Sequence, residues 1–242
     1  MRILKLPVLV LLFMASTGVM ALDSDEMDEL QAPKLNEWRL TKNDKIHKIK
    51  TYYRLEAGRP YRSFKVEAEL DGQPEALARV FLDFDNYTKW FWQTRESKLV
   101  KQVSATEYIV YMIHRAPFGL PDRDTVLRAV YEPQTKSKEY AILRATSDPD
   151  FLPLYPPMVR MPGEEINIRF HPLPGDRVGM VAEGYFNPGG GVPAWSANVL
   201  QRSIPYSIVL GLQRMISQDK YTKAQTPLPF PIFRYSDYAK DS

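Results

Sequence analysis

Three histidines, no cysteine and one crowded run of charges hold most of the conventionally reactive groups in this 242-residue chain. His47, His114 and His171 stand far apart, each in a strand-like stretch, and none has a second histidine at ligand spacing. A metal site is therefore not expected. The absence of cysteine removes thiol nucleophiles and thiolate ligands. There is no Gly-x-Ser-x-Gly elbow, phosphate loop or dinucleotide fingerprint. Composition alone does not exclude a Ser-His-Asp triad. The crowded run is "PDRD", Pro121 to Asp124. Asp122 or Asp124 could serve there as a general base. The plainer reading is a turn in which an arginine–carboxylate pair fixes the start of a strand, since isolated carboxylates are mostly structural or solvated. No acid–base pair emerges, and the expectation is a protein that is not an enzyme.

Other side chains suit the holding of an apolar molecule. "KWFWQTR" brings Trp90, Phe91 and Trp92 together. They fit either an aromatic cap on a sheet or a rim dipping into a membrane interface, a role Trp195 could share. Arg128 interrupts an apolar run, "TVLRAVY". Facing inward it would meet a ligand head group or a buried acid. Facing outward it is a surface charge, and strand alternation leaves both open.

These residues need a scaffold, and the composition permits one. Hydrophobic residues make up 44% of the chain, enough for a core without disulfides. The first 21 residues have a positive start at Arg2 and Lys5, an apolar run from Leu6 to Met14, and Val19-Met20-Ala21. They read as an export signal cleaved after Ala21, which implies a periplasmic or secreted protein. No cysteine follows that point, so a lipoprotein anchor is not expected. Beyond it 30 basic residues face 29 acidic ones, which gives no reason to expect nucleic-acid binding.

Residues 22–37 read as an acidic leader. Strand character begins at Ile46, and "SFKVEAELD" alternates cleanly, with Phe64, Val66, Ala68 and Leu70 on one face. Pro74 opens a helix with Leu77, Val80, Phe81 and Phe84 at helical spacing, ending near Asp85-Asn86. Strands follow at Ser97–Val103, Glu107–Arg115, Asp124–Tyr131, Glu139–Thr146, Glu165–His171 and Val178–Phe186. Their short links favour an antiparallel meander. From Val192 or Pro193 to about Lys220 a helix carries the apolar stripe Leu200, Ile204, Ile208, Leu212 and Met215, with a kink at Pro205. Residues 221–242 form an extended tail whose "PLPFPIFRY" could dock a partner. The fold class is α+β: a curved antiparallel sheet wrapped around one long helix, with an apolar cavity between them. Before that helix, Gly189, Gly190 and Gly191 supply a strand-to-helix connector, and as a hinge they would let the helix swing open.

Four stretches carry a resemblance: "FDNYTKWFWQTRESKLV", "RAPFGLPDRDTVLRAVY", "PPMVRM" and "NPGGGVPAWSANVLQRSIPYSIVLGLQRMI". In this order they resemble the START domain, the lipid-transfer domain related to steroidogenic acute regulatory protein, especially its exported bacterial type. The likeness runs from about Trp38 to Ile216 within a domain spanning 38–220. It departs at "GEEINIRFHP", where relatives often have an aromatic-rich strand. The resemblance implies a helix-grip fold, no cofactor, and a lipid or other apolar small molecule as partner, with transient membrane contact. Strand faces and this likeness together nominate Val66, Trp92, Tyr111, Ile113, Arg128, Phe170, Met180, Trp195 and Asn198 as cavity wall. The wider superfamily also includes cyclases and hydrolases, so the likeness carries an enzymatic alternative.

Overall fold

The computed structural model of the protein describes residues 35–116, 119–192 and 194–239, and only the backbone of 194–202. The nominated export signal and most of the acidic leader lie outside the described residues.

Nine strands pair antiparallel in one curved sheet, ordered β1-β2-β3-β10-β9-β7-β6-β5-β4. They are β1 (Arg39–Asp44), β2 (Ile49–Arg54), β3 (Ser63–Asp71), β4 (Thr94–Gln102), β5 (Glu107–His114), β6 (Arg123–Glu132), β7 (Ala141–Ser147), β9 (Gly163–Leu173) and β10 (Arg177–Asn187). The two-residue β8 (Val159–Arg160) pairs parallel with the start of β6. Helix α1 (Pro74–Leu82) follows β3, and a 3-10 turn, Phe84–Lys89, leads to β4. Helix α2 (Ala194–Ile216) follows β10, and short helices α3 (Asp219–Thr222) and α4 (Tyr235–Tyr238) end the described chain.

The alternation in β3 is realised as expected. Phe64, Val66, Ala68 and Leu70 are buried under α2, while Lys65, Glu67 and Glu69 face away. Antiparallel pairing of β3 with β10 sets Met180 opposite Ala68 and Ala182 opposite Val66, so both strands feed one core face. On α2, Val209, Leu212, Met215 and Ile216 are buried against that face. Gly211 is where the helix crosses the backbone of Trp90: a Cβ there would stand 2.5 Å from the Trp90 carbonyl oxygen.

Some boundaries differ from the sequence expectation. β1 was not anticipated. "RLTKND" has one apolar residue, Leu40, and no residue of this edge strand is fully buried, so it lacks the periodic apolar signal of a strand with a core face. Helix α1 stops at Leu82, and α2 stops at Ile216 with a separate turn of helix at Asp219. α2 is assigned as one helix through Pro205. The segment between β7 and β8 folds over the outer face of the sheet, where Leu152 and Met158 pack on Ile109, Tyr111, Ile113 and Val126. Among the described residues no helix is long and apolar enough to cross a membrane.

Candidate functional site

An apolar cavity of about 60 Å³ lies between α2 and the sheet. Four elements shape it. β3 gives Phe64 and Val66, β9 gives Ile166 and Ile168, β10 gives Met180, Ala182 and Phe186, and α2 gives Pro205, Ile208, Val209 and Leu212. Phe81 of α1 and the Trp90-Phe91 pair close one side. It is smaller than a typical small-molecule site, so a ligand would need α2 to move outward, and its wall is carbon. Trp90 Nε1 is buried nearby with no acceptor among the described residues.

A second apolar space, about 80 Å³, lies between α1 and strands β5, β6, β7 and β9. Leu77, Tyr108, Leu143 and Phe170 line it, and Phe230 and Ile232 of the tail cover it. The tail is held there by the Phe230 ring on Tyr131 at 4.2 Å, by Gln134 Oε1 accepting from Phe233 N, and by Arg234 pairing with Glu75. Phe81 lines both spaces and makes edge contacts with Trp90 at 5.6 Å and Phe170 at 5.5 Å. It stands as the partition between them.

The nominated wall residues divide. Val66 and Met180 line the cavity under α2, and Phe170 lines the space under α1. Trp92 is half-buried and lines neither; its neighbours Trp90 and Phe91 do the lining. Tyr111 and Ile113 face the other side of the sheet. Within β5 it is Tyr108, Val110 and Met112 that point to the helix, while Ile109, Tyr111 and Ile113 form the outer cluster. One step of register exchanges the faces. Arg128 points outward as well, half-exposed, pairing with Glu107 and, at 3.2 Å, with Asp148. The side chains of Trp195 and Asn198 lie outside the described residues.

The histidines are as scattered in space as in sequence. His47 bonds Asp44 at 2.8 Å on the surface, and His171 lies across from Gly179. His114 is half-buried, with Nδ1 3.2 Å from Thr94 Oγ1, and desolvation pushes its pKa down to about 4. In "PDRD" both carboxylates meet arginines: Asp122 with Arg95 at 2.6 Å, and Asp124 with the buried Arg160 at 2.8 Å, where Tyr111 also donates at 3.1 Å. Arg123 is buried too, which pushes its pKa down, and it donates to the carbonyls of Pro121 and Pro188. It thereby pins the start of the glycine connector. Gly189, Gly190 and Gly191 all have φ near +60°, and a Cβ on Gly190 would meet Val159 at 3.0 Å and Arg123 at 3.1 Å.

Sequence reasoning missed Phe81, Leu212 and Glu164 as site residues. The first two were visible in the helical stripes. Glu164 was visible in another way: alternation along β9 places it in step with Ile166, Ile168 and Phe170.

No protein-family model matches the chain. An uncharacterized protein of Pseudomonas aeruginosa is 22% identical over 178 residues, covering 73% of this chain and 85% of that protein. Among solved structures, a STAR-related lipid transfer protein from Xanthomonas axonopodis (fragment 25–204) is 28% identical. It covers 75% of this chain and 99% of its own, with a TM-score of 0.68. Human STARD10 aligns at 17% identity over 86% of this chain and 84% of its own, with a TM-score of 0.66. Human StAR-related lipid transfer protein 5 aligns at 16% identity over 80% and 92%, with a TM-score of 0.61.

Proposed function

We propose that this chain, a START-like domain of helix-grip fold, carries an apolar small molecule, a lipid by class, and does not convert it chemically. The observation that bears this reading is the carbon-lined cavity between α2 and the sheet. Shielding alkyl groups there, as α2 moves outward to admit them, yields about 0.8 kcal/mol per buried CH₂. The reading includes export to the periplasm or beyond, on the strength of the first 21 residues. It includes transient contact with a membrane from which the ligand is taken. Entry would follow movement of α2 about Gly189–Gly191, whose left-handed backbone is native to glycine. The "PDRD" carboxylates lend the enzymatic alternative no support, because both are held by arginines.

The test is transfer of labelled lipids, a phospholipid and an uncharged long-chain alcohol, between donor and acceptor vesicles. The chain should raise the transfer rate, and Ala182→Phe, which fills the cavity, should lower it while circular dichroism stays native. No transfer by the parent chain, together with no uptake from the donor vesicles, would overturn the reading.

A further inference from the structure

We propose that Glu164 and Thr125 form the polar end of the ligand space and hold an uncharged hydroxyl or carbonyl group of an otherwise apolar ligand, with Glu164 as a neutral hydrogen-bonding acid. This inference rests on the cavity reading above. Glu164 is the second residue of β9, on the face that carries Ile166 and Ile168, and its cross-strand partner is Phe186. All three of those neighbours line the cavity under α2. Glu164 is only 1% exposed, and its side chain has one partner among the described residues, Thr125 Oγ1 at 3.1 Å. Thr125 is itself fully buried on β6. Ser147 Oγ, at the end of β7, accepts from the Glu164 backbone N–H at 3.0 Å. Among the described residues, then, Thr125 alone engages a carboxyl group that can make several hydrogen bonds.

The surrounding charges do not compensate it. Among the described residues no lysine, arginine or histidine pairs with Glu164. At this end of the sheet, β6 brings Arg123, committed to the carbonyls of Pro121 and Pro188, and β5 brings His114, held neutral by desolvation. Asp124 and Arg160 pair with each other, and Glu165 faces the other way to pair with Arg59. β10 presents Phe186 and β7 presents Ser147. An ionised carboxylate buried without a cation is costly, so the acid form is favoured. Burial accordingly pushes the Glu164 pKa up to about 7. A protonated carboxyl both donates and accepts, which matches a hydroxyl or carbonyl. A phosphate or carboxylate head would meet no uncommitted cation among the described residues here, and an ammonium would demand the ionised form.

The experiment titrates dodecanol, dodecane and dodecylammonium into the full chain at pH 5.5 and pH 8.5, read by tryptophan fluorescence. If only the acid form binds the alcohol, the apparent dodecanol affinity weakens by about 30-fold between these pH values, following the acid fraction. Dodecane affinity stays level, a comparison that needs no variant. In Glu164→Gln the dodecanol ratio falls to about one. Level dodecanol binding in the parent chain, with dodecane also bound, overturns the inference and leaves the cavity reading standing. Dodecylammonium that tightens from pH 5.5 to pH 8.5 and outcompetes dodecanol overturns the assigned class. If none of the three binds at either pH, the inference and the cavity reading both fall.

Discussion

Replacing Gly211 with alanine sets two known effects against each other. Alanine in a helix interior is favoured over glycine by about 1 kcal/mol, so on propensity alone the variant is more stable. The new Cβ, however, would stand 2.5 Å from the carbonyl oxygen of Trp90 and 3.0 Å from its Cα. Both are backbone atoms and cannot swing aside as a side-chain tip would. Either α2 lifts or the Trp90 segment retreats by roughly 1 Å, and forcing extra carbon into a packed core costs about 1–3 kcal/mol. The clash cancels or outweighs the propensity gain, and the expected net loss is about 0–2 kcal/mol. Urea unfolding followed by far-UV circular dichroism measures it as a lower midpoint at unchanged slope. Gly211→Ser should lose as much or more. An alanine variant more stable than the parent by the propensity difference would refute the close helix crossing, and with it the tight closure of the cavity at that point.

Glu164→Gln should change how stability depends on pH. The folded pKa near 7 lies above the ordinary 4.5, so the native state keeps a proton that the unfolded chain has lost. Stability is then full below about pH 4.5 and declines up to about pH 7, by about 3 kcal/mol in all; glutamine removes that decline, as paired urea titrations at pH 4.5 and pH 8 would reveal. His114 acts in the other direction: held at about 4 against an ordinary 6.5, it weakens the fold as pH falls through that window, and His114→Gln should flatten the acid limb of the stability curve. Asp124→Asn leaves Arg160 buried without its counter-charge and should cost about 3–5 kcal/mol, with a double variant Asp124→Asn, Arg160→Met costing less than the sum of its parts by thermal unfolding. Phe81→Ala removes the partition between the two apolar spaces; it should destabilise by about 3 kcal/mol and shift binding toward longer alkyl chains in a chain-length titration.

Much of the scaffold was legible because one face of each element is wet. The alternation of β3 and the stripe Ile208, Leu212 and Met215 on α2 announced their buried sides directly. β5 gave no such cue. It is buried on both faces, since Leu152 and Met158 cover the outer one, and a fully apolar strand does not disclose its register. That is why Tyr111 and Ile113 were nominated in place of Tyr108, Val110 and Met112. Arg128 was undecidable for a related reason: its orientation follows from Glu107 and Asp148 reaching it across the outer face. β1 escaped notice because an edge strand can lack a core face. The partition by Phe81 depends on how α1 and β9 are set against each other, which local sequence does not specify.

The central claim is that the space between α2 and the sheet holds an apolar molecule. Native mass spectrometry of the chain, purified without detergent and measured again after solvent extraction, tests it most directly. The account predicts a stoichiometric adduct that extraction removes and that Ala182→Phe fails to retain. A chain of bare mass that also takes up no labelled lipid from vesicles would contradict it.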